Sequence, residues 1–337
     1  MIPIETEDQV VLSGIRATGR LHFGNFLGAV SNFVKFQDQG YKCLYFIADL
    51  HTLTTLDDPE ELRSNVVEVA KDYLAAGLDP KKSTLYVQSS VPEITELSLY
   101  LGMFQPLGDL QNIPTYKDLV KKFPDRISHG LITYPVLMAA DILGPRATIV
   151  PVGEDQVPNV ELARSLARRF NNRFGETFVL PEMMNEMVKI PGLDGRKMGK
   201  SDSQNAININ DPISAISDLY LKKGITDVKR LRVGDCGDPY NRCKSVYPVH
   251  EVVTEGEKET RDIANLCLGG KIGCRDCKLR LVDSLEKVIA PFQERRAELS
   301  DQDDYVMDVL NEGGKKARES FKETLEVVRS KIGIKIY

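Results

Sequence analysis

Tryptophan is absent from the 337 residues, histidine occurs only four times, and no run of eighteen apolar residues exists. The missing apolar run excludes a bilayer-spanning helix. Residues 1–14 lack the basic and apolar regions of a secretory signal, so no membrane association and a cytoplasmic location are expected. Excess positive charge is missing too: the formal net charge is −5, which does not by itself suggest a nucleic-acid partner. A local basic face can nevertheless hold phosphate on an acidic protein. Basic stretches lie at 164–173, 221–232 and 313–318; taken singly, each reads as a solvated helix face.

What is present is ordinary in amount, with 42% hydrophobic and 28% charged residues, as in soluble globular proteins. The length suits two domains. Strand and helix signals alternate through the first two-thirds. Residues 9–15, 42–49, 83–89 and 147–153 read as strands, the second apolar enough to be buried on both faces. Residues 25–40 and 59–77 read as helices that stop at Gly40 and Gly77. This predicts an α/β fold, a doubly wound parallel sheet, over residues 1–212. From Ile213 the strand signals stop, and 213–337 is expected to be a mainly helical C-terminal domain.

Two segments suit phosphate. "ATGRLHFGN" (17–25) joins the first strand to the first helix, where Gly24 admits close backbone approach and the helix start offers N–H groups. His22 and Asn25 add side-chain donors. Its bland reading is a strand–helix turn capped by Asn25. The second segment, "GLDGRKMGKSDSQN" (192–205), is no P-loop, because Asp194 stands where that motif needs glycine. It reads as a mobile loop with Lys197 and Lys200 able to meet one polyphosphate, or more blandly as an exposed basic loop.

A third stretch, "TYPVLMAAD" (133–141), poses a question of charge. On a helix Tyr134, Met138 and Asp141 share one face, which places a carboxylate on the buried stripe. That is costly unless something pairs with it.

Together, the His-x-Gly-Asn and Lys-Met-x-Lys-Ser segments resemble the two signatures of class I aminoacyl-tRNA synthetases. "SGIRATGRLHFGN", "IADLHTLT", "GLITYPVLMAADIL" and "VPVGEDQ" resemble tryptophanyl-tRNA synthetases specifically, in the right order over nearly the whole chain. The resemblance implies a tryptophan–tRNA ligase that forms tryptophanyl-adenylate from L-tryptophan and ATP, then charges tRNA(Trp). It implies ATP contacts at Arg16, Ala17, Thr18, His22, Gly24, Asn25, Gly153, Glu154, Asp155, Val188, Lys197, Met198, Gly199, Lys200 and Ser201. Lys197, Lys200, His22 and Asn25 are the implied catalytic residues, and Gly199 stands where the family usually has serine. The resemblance assigns Asp141 to the indole N–H of tryptophan, Tyr134 and Gln156 to its ammonium and carboxylate, Met138 and Val152 to the pocket wall, and His51 to a place nearby. It further implies Mg²⁺ on the phosphates, a homodimer, and a helical region that binds the anticodon. A tyrosyl-tRNA synthetase and a non-aminoacylating RNA- or tryptophan-binding relative are the alternatives.

Five of the six cysteines fall between Cys236 and Cys277, and disulfides are not expected in a reducing compartment. Cys243, Cys267, Cys274 and Cys277 form C-x23-C-x6-C-x2-C, a set that suits structural zinc or an iron–sulfur cluster. The spacing is similar to that of the synthetase branch carrying a [4Fe–4S] cluster, with a first gap one residue longer. Cys236 is a competing first ligand, and Cys43 reads as core packing.

Overall fold

The computed structural model describes residues 6–184, 190–196, 198 and 205–334. Its strands are β1 (Val10–Arg16), β2 (Lys42–Ala48), β3 (Ser83–Val87), β4 (Ile149–Pro151) and β5 (Glu182–Met184). They form one parallel sheet in the order β3-β2-β1-β4-β5. The first four lie on the apolar runs read from the sequence. β5 was not anticipated, since Glu-Met-Met carries no strand signature and is ordered by pairing with β4.

Both faces of the sheet are buried, and alternation along each strand divides the core in two. Val11, Cys43, Tyr45, Ile47 and Leu85 face one cluster with helices α1 (Ser31–Asp38) and α2 (Pro59–Ala75). Leu12, Leu44, Phe46 and Tyr86 face the other, with α3 (Glu93–Gly102), α4 (His129–Leu143) and α5 (Val157–Phe174). Helix α2 starts as its sequence suggests: the Asp58 side chain accepts from the Glu60 and Glu61 amides, and Pro59 takes the first turn. The helix expected over 25–40 is instead composite. A short α-turn (Phe23–Asn25) runs into a π-turn (Phe26–Val30) before α1 begins. Across the wider turn five successive residues, Phe26 to Val30, are buried.

After Met184 the described residues contain no further strand of the sheet. The helices are α6 (Ile213–Lys223), α7 (Tyr247–Val253), α8 (Glu257–Leu268), α9 (Cys274–Glu298) and α10 (Asp303–Ile332). They share the core of the first half: Ile289 and Phe292 of α9 pack with Val11 and Val69, and the Phe292 ring meets Phe26 edge-on at 5.2 Å. Helix α10 lies along β3, sending Val306 and Leu310 into one cluster and Phe321 and Leu325 into the other. A free edge strand invites pairing with another chain, and α10 covers this one. The strand order reverses between β1 and β4, which opens the ligand crevice of such sheets at their C-terminal ends. Arg16 and Val152 stand there.

The α10 contact depends on Gly313, where a Cβ would lie 1.8 Å from the Leu85 carbonyl oxygen. Gly313→Ala is expected to cost roughly 1–3 kcal/mol in urea unfolding, as overpacking does. Gly102→Ala, which meets nothing within 4 Å, should cost none.

Candidate active site

The backbone of the first segment is held at Ala17 and Leu21 by side chains from outside it. The Ala17 amide donates to Thr52 Oγ1 at 2.9 Å, its carbonyl accepts from Asn65 Nδ2 at 3.1 Å, and the Leu21 amide donates to Asp72 Oδ2 at 2.9 Å. His22 caps the following turn, with Nδ1 accepting from the Asn25 amide at 3.1 Å, so its proton sits on Nε2. Gly24 sits in a tight space: a Cβ would lie 3.1 Å from the His22 ring, close enough to displace it slightly, and 3.5 Å from Met198 Cβ. Met198 is buried here, which brings the second segment against the first. Arg16 reaches the Thr52 carbonyl and Thr55, and burial lowers its basicity. Arg16 Nε and Asn25 Oδ1 are buried without a hydrogen-bond partner among the described residues, which is the state expected of groups awaiting a ligand.

Beside this loop lies a buried polar cluster centred on Asp141. Asp141 is fully buried on α4, and Gln88 Nε2 stands 3.0 and 2.8 Å from its two carboxylate oxygens. The second Gln88 amide hydrogen faces His51 Nδ1 at 2.8 Å, while His51 Nε2 lies 3.3 Å from the Tyr134 carbonyl. One neutral tautomer satisfies both contacts, with Nδ1 accepting and Nε2–H donating. Burial lowers His51 to about 4, with Gln88 and the Tyr134 carbonyl opposing the shift. Burial raises the Asp141 carboxyl well above its usual range; the Gln88 bonds pull it down and nearby Asp49 adds to the rise. The question posed by the apolar run is thus answered in part by Gln88. An ionised carboxylate accepts about four bonds, so Asp141 keeps room for another donor.

Tyr134 and Gln156 are joined by a relay. Tyr134 donates to Thr115 Oγ1 at 2.6 Å, Thr115 to Asn159 Oδ1 at 3.3 Å, and Asn159 Nδ2 to Gln156 Oε1 at 2.9 Å. Val152 is buried and Met138 half-buried, as pocket walls require. Gly153 leads into the short turn Glu154–Gln156, where Glu154 and Asp155 are exposed. The fold therefore gathers the ends of β1 and β4, the α-turn at Phe23–Asn25 and one face of α4 at one crevice. Val188, Lys197, Gly199, Lys200 and Ser201 lie outside the described residues. Around them, Asn205 closes the base of the second segment, its Oδ1 accepting from the Asp194 amide at 2.9 Å. Gln88 was not singled out from sequence; a glutamine ending an otherwise apolar strand was the available signal.

The cysteines also converge. Cys243, Cys267, Cys274 and Cys277 line one pocket with Asp227, Arg230 and Tyr247, whereas Cys236 is exposed and outside that lining. Cys43 is buried in β2. The Tyr247 amide points at Cys243 Sγ at 3.4 Å and Arg230 at Cys267 Sγ at 3.8 Å. A Cβ on Gly237 would lie 2.5 Å from Cys267 Sγ. Among the described residues, no three His, Cys, Asp or Glu side chains are disposed to hold a single metal ion.

A parallel sheet with a nucleotide crevice at the β1/β4 switch and these two segments defines a class I aminoacyl-tRNA synthetase. The family described as tRNA synthetases class I (W and Y) matches residues 5–290. The tryptophan–tRNA ligase of Thermotoga maritima is 42% identical over 323 residues, spanning 95% of this chain and 97% of its own. That of Deinococcus radiodurans is 40% identical, spanning 96% and 98%. The crystal structure of tryptophanyl-tRNA synthetase from Campylobacter jejuni with ADP and tryptophan superposes with a TM-score of 0.83 at 34% identity, covering 97% of this chain and 100% of that one. The chain belongs to the tryptophan–tRNA ligases. Among the described residues no helix is long and apolar enough to cross a membrane.

The His51 shift fixes a sign. Between its ordinary 6.5 and about 4 the unfolded chain binds a proton that the folded chain refuses, so stability is lost as pH falls through that window. The wild type should lose on the order of 3 kcal/mol there by urea unfolding, and His51→Gln should lose markedly less.

Proposed function

We propose that this ligase selects its amino acid through Asp141, which accepts the indole N–H of tryptophan. The observation that carries this is a fully buried carboxylate held by the amide of Gln88 with acceptor capacity left over. Indole has one donor and no acceptor, so the two are complementary. Tyr134 and Gln156 orient the ammonium and carboxylate, Met138 and Val152 wall the ring, and His51, neutral at physiological pH, buttresses Gln88.

The substrate carboxylate is already ionised at pH 7, so its attack on the α-phosphorus of ATP needs no general base. The chain's tasks are alignment and charge stabilisation. Arg16, Ala17, Thr18, His22, Gly24 and Asn25 hold the phosphates. Gly153, Glu154 and Asp155 hold the ribose and adenosine, and Val188 the adenine. Lys197 and Lys200, with Met198, Gly199 and Ser201 of the same segment, stabilise the leaving pyrophosphate. Mg²⁺ carried on the phosphates needs no protein cage. The tRNA's terminal ribose hydroxyl then attacks the carbonyl carbon of the adenylate, forming the ester and releasing AMP. Residues 1–212 carry this chemistry and 213–337 bind tRNA(Trp). Exposed Leu99, Met103, Leu107 and Ile127 support a homodimer, and the protein acts in the cytoplasm.

A [4Fe–4S] cluster is the further part of this reading, and what supports it is that four thiols line one pocket, two N–H donors point at sulfur, and Gly237 leaves room for the Cys267 sulfur. The cluster would be held by Cys243, Cys267, Cys274 and Cys277 and would brace the tRNA-binding region without touching the reaction. Anaerobically purified protein is expected to be brown, with about four irons; colourless protein containing zinc contradicts the cluster.

Pyrophosphate exchange tests the main reading. Tryptophan should drive it and tyrosine should not. Asp141→Ala should raise the KM for tryptophan roughly 10–100-fold, the effect of leaving one buried bond unmade, with the KM for ATP held. A tryptophan KM within threefold of wild type contradicts the assignment.

A further inference from the structure

The first nucleotide segment is gripped by a stripe on α2. Asn65, Glu68 and Asp72 stand at i, i+3 and i+7, on one helix face. Asn65 Nδ2 donates to the Ala17 carbonyl, Glu68 accepts from Arg20 Nε at 2.6 Å, and Asp72 Oδ2 accepts from the Leu21 amide. Asp72 is therefore bonded one residue before His22, the side chain that caps the turn at Asn25. Its carboxylate is fully buried, so the geometry at Leu21 depends on whatever neutralises it.

That group comes from the far end of the chain. Arg296 Nε donates to Asp72 Oδ1 at 3.0 Å and Arg296 NH2 to Glu68 Oε2 at 2.7 Å, with the guanidinium 11% exposed. Arg296 lies in the last turn of α9. Three residues earlier, Gln293 Nε2 donates to the carbonyls of Ile209 and Asp211 at 2.8 and 2.9 Å. The same stretch is bridged to the first segment, since Asn208 pairs with His22 and the Phe23 amide donates to the Ile207 carbonyl. One turn of α9 thus holds both chains that frame the nucleotide. At its other end the same helix carries Cys274 and Cys277 of the thiol pocket.

We infer that Arg296, acting through Asp72, is a positioning residue for the ATP segment, so that α9 sets the geometry of the nucleotide site from the helical region. A buried carboxylate that loses its cation reorganises or takes up a proton; the Leu21 amide then loses a charged acceptor, and the turn bearing His22 and Asn25 loosens. The proposed tryptophan contacts arise from α4 and from the chain just after β4 and are untouched. The inference rests on the ATP role given to residues 16–25.

The test is pyrophosphate exchange with the full-length protein, with tryptophan affinity measured separately by equilibrium dialysis. Arg296→Met and Asp72→Asn are each expected to raise the KM for ATP about tenfold, as expected for one charge-assisted bond. Tryptophan affinity should stay within twofold, and Arg296→Lys should recover part of the loss. The double variant should be no worse than the worse single, because both changes break one interaction. If Arg296→Met does not fold, Asp72→Asn and Arg296→Lys carry the same comparison. An unmoved ATP KM in folded variants, or a parallel loss of tryptophan affinity, overturns the inference. His22→Ala run alongside identifies a failure of the ATP reading itself, since that alone leaves its ATP KM unmoved as well.

Discussion

A single side-chain amide meeting a carboxylate inside the protein sets the terms for the rest of this site. Gln88 directly follows β3 and Asp141 sits on α4, so their bond ties the end of the strand to the helix that packs across the sheet. Without a partner, a carboxylate at this depth would be expelled or neutralised. With one amide donating to it, the carboxylate is tolerated and still incomplete. The neutral His51 ring completes the amide's bonding and rests on the Tyr134 carbonyl. On the proposed reading, selectivity follows from that incompleteness, because a ligand that supplies a donor finishes a network the protein leaves open.

The half proposed to hold the nucleotide follows a different logic. Its groups are mostly backbone, held by side chains of α2 and by Thr52. The loop is therefore rigid only insofar as its supports are. Those supports reach α9, and α9 and α10 are part of the main core rather than an appended body. In this chain the helices after Ile213 brace segments beside the crevice, through Gln293 and Arg296 of α9.

Much of this was legible in the residues. Four strands stand on the apolar runs of the sequence, and the first glycine-bearing segment stands where a doubly wound sheet leaves its crevice. Asp141 announced itself as a charge on an apolar stripe. Other features were hidden because they depend on distant partners. β5 is three residues that pair with β4. Gln88 looked like the end of a strand, and the link from Arg296 to Asp72 spans most of the chain. The helix after Phe23 was read as regular because periodicity does not register one widened turn. Cysteine spacing marked the pocket but left its first member open; the fold turns Cys243 inward and leaves Cys236 exposed.

The central claim concerns one hydrogen bond between Asp141 and the indole nitrogen, and an analogue can interrogate that bond alone. In the tryptophan analogue with sulfur in place of the indole N–H, shape is kept and the donor is gone. Pyrophosphate exchange should favour tryptophan over it by a factor on the order of 10⁴ in kcat/KM, as sites built around a substrate N–H do. Near-equal use of the two, within tenfold, would contradict the account.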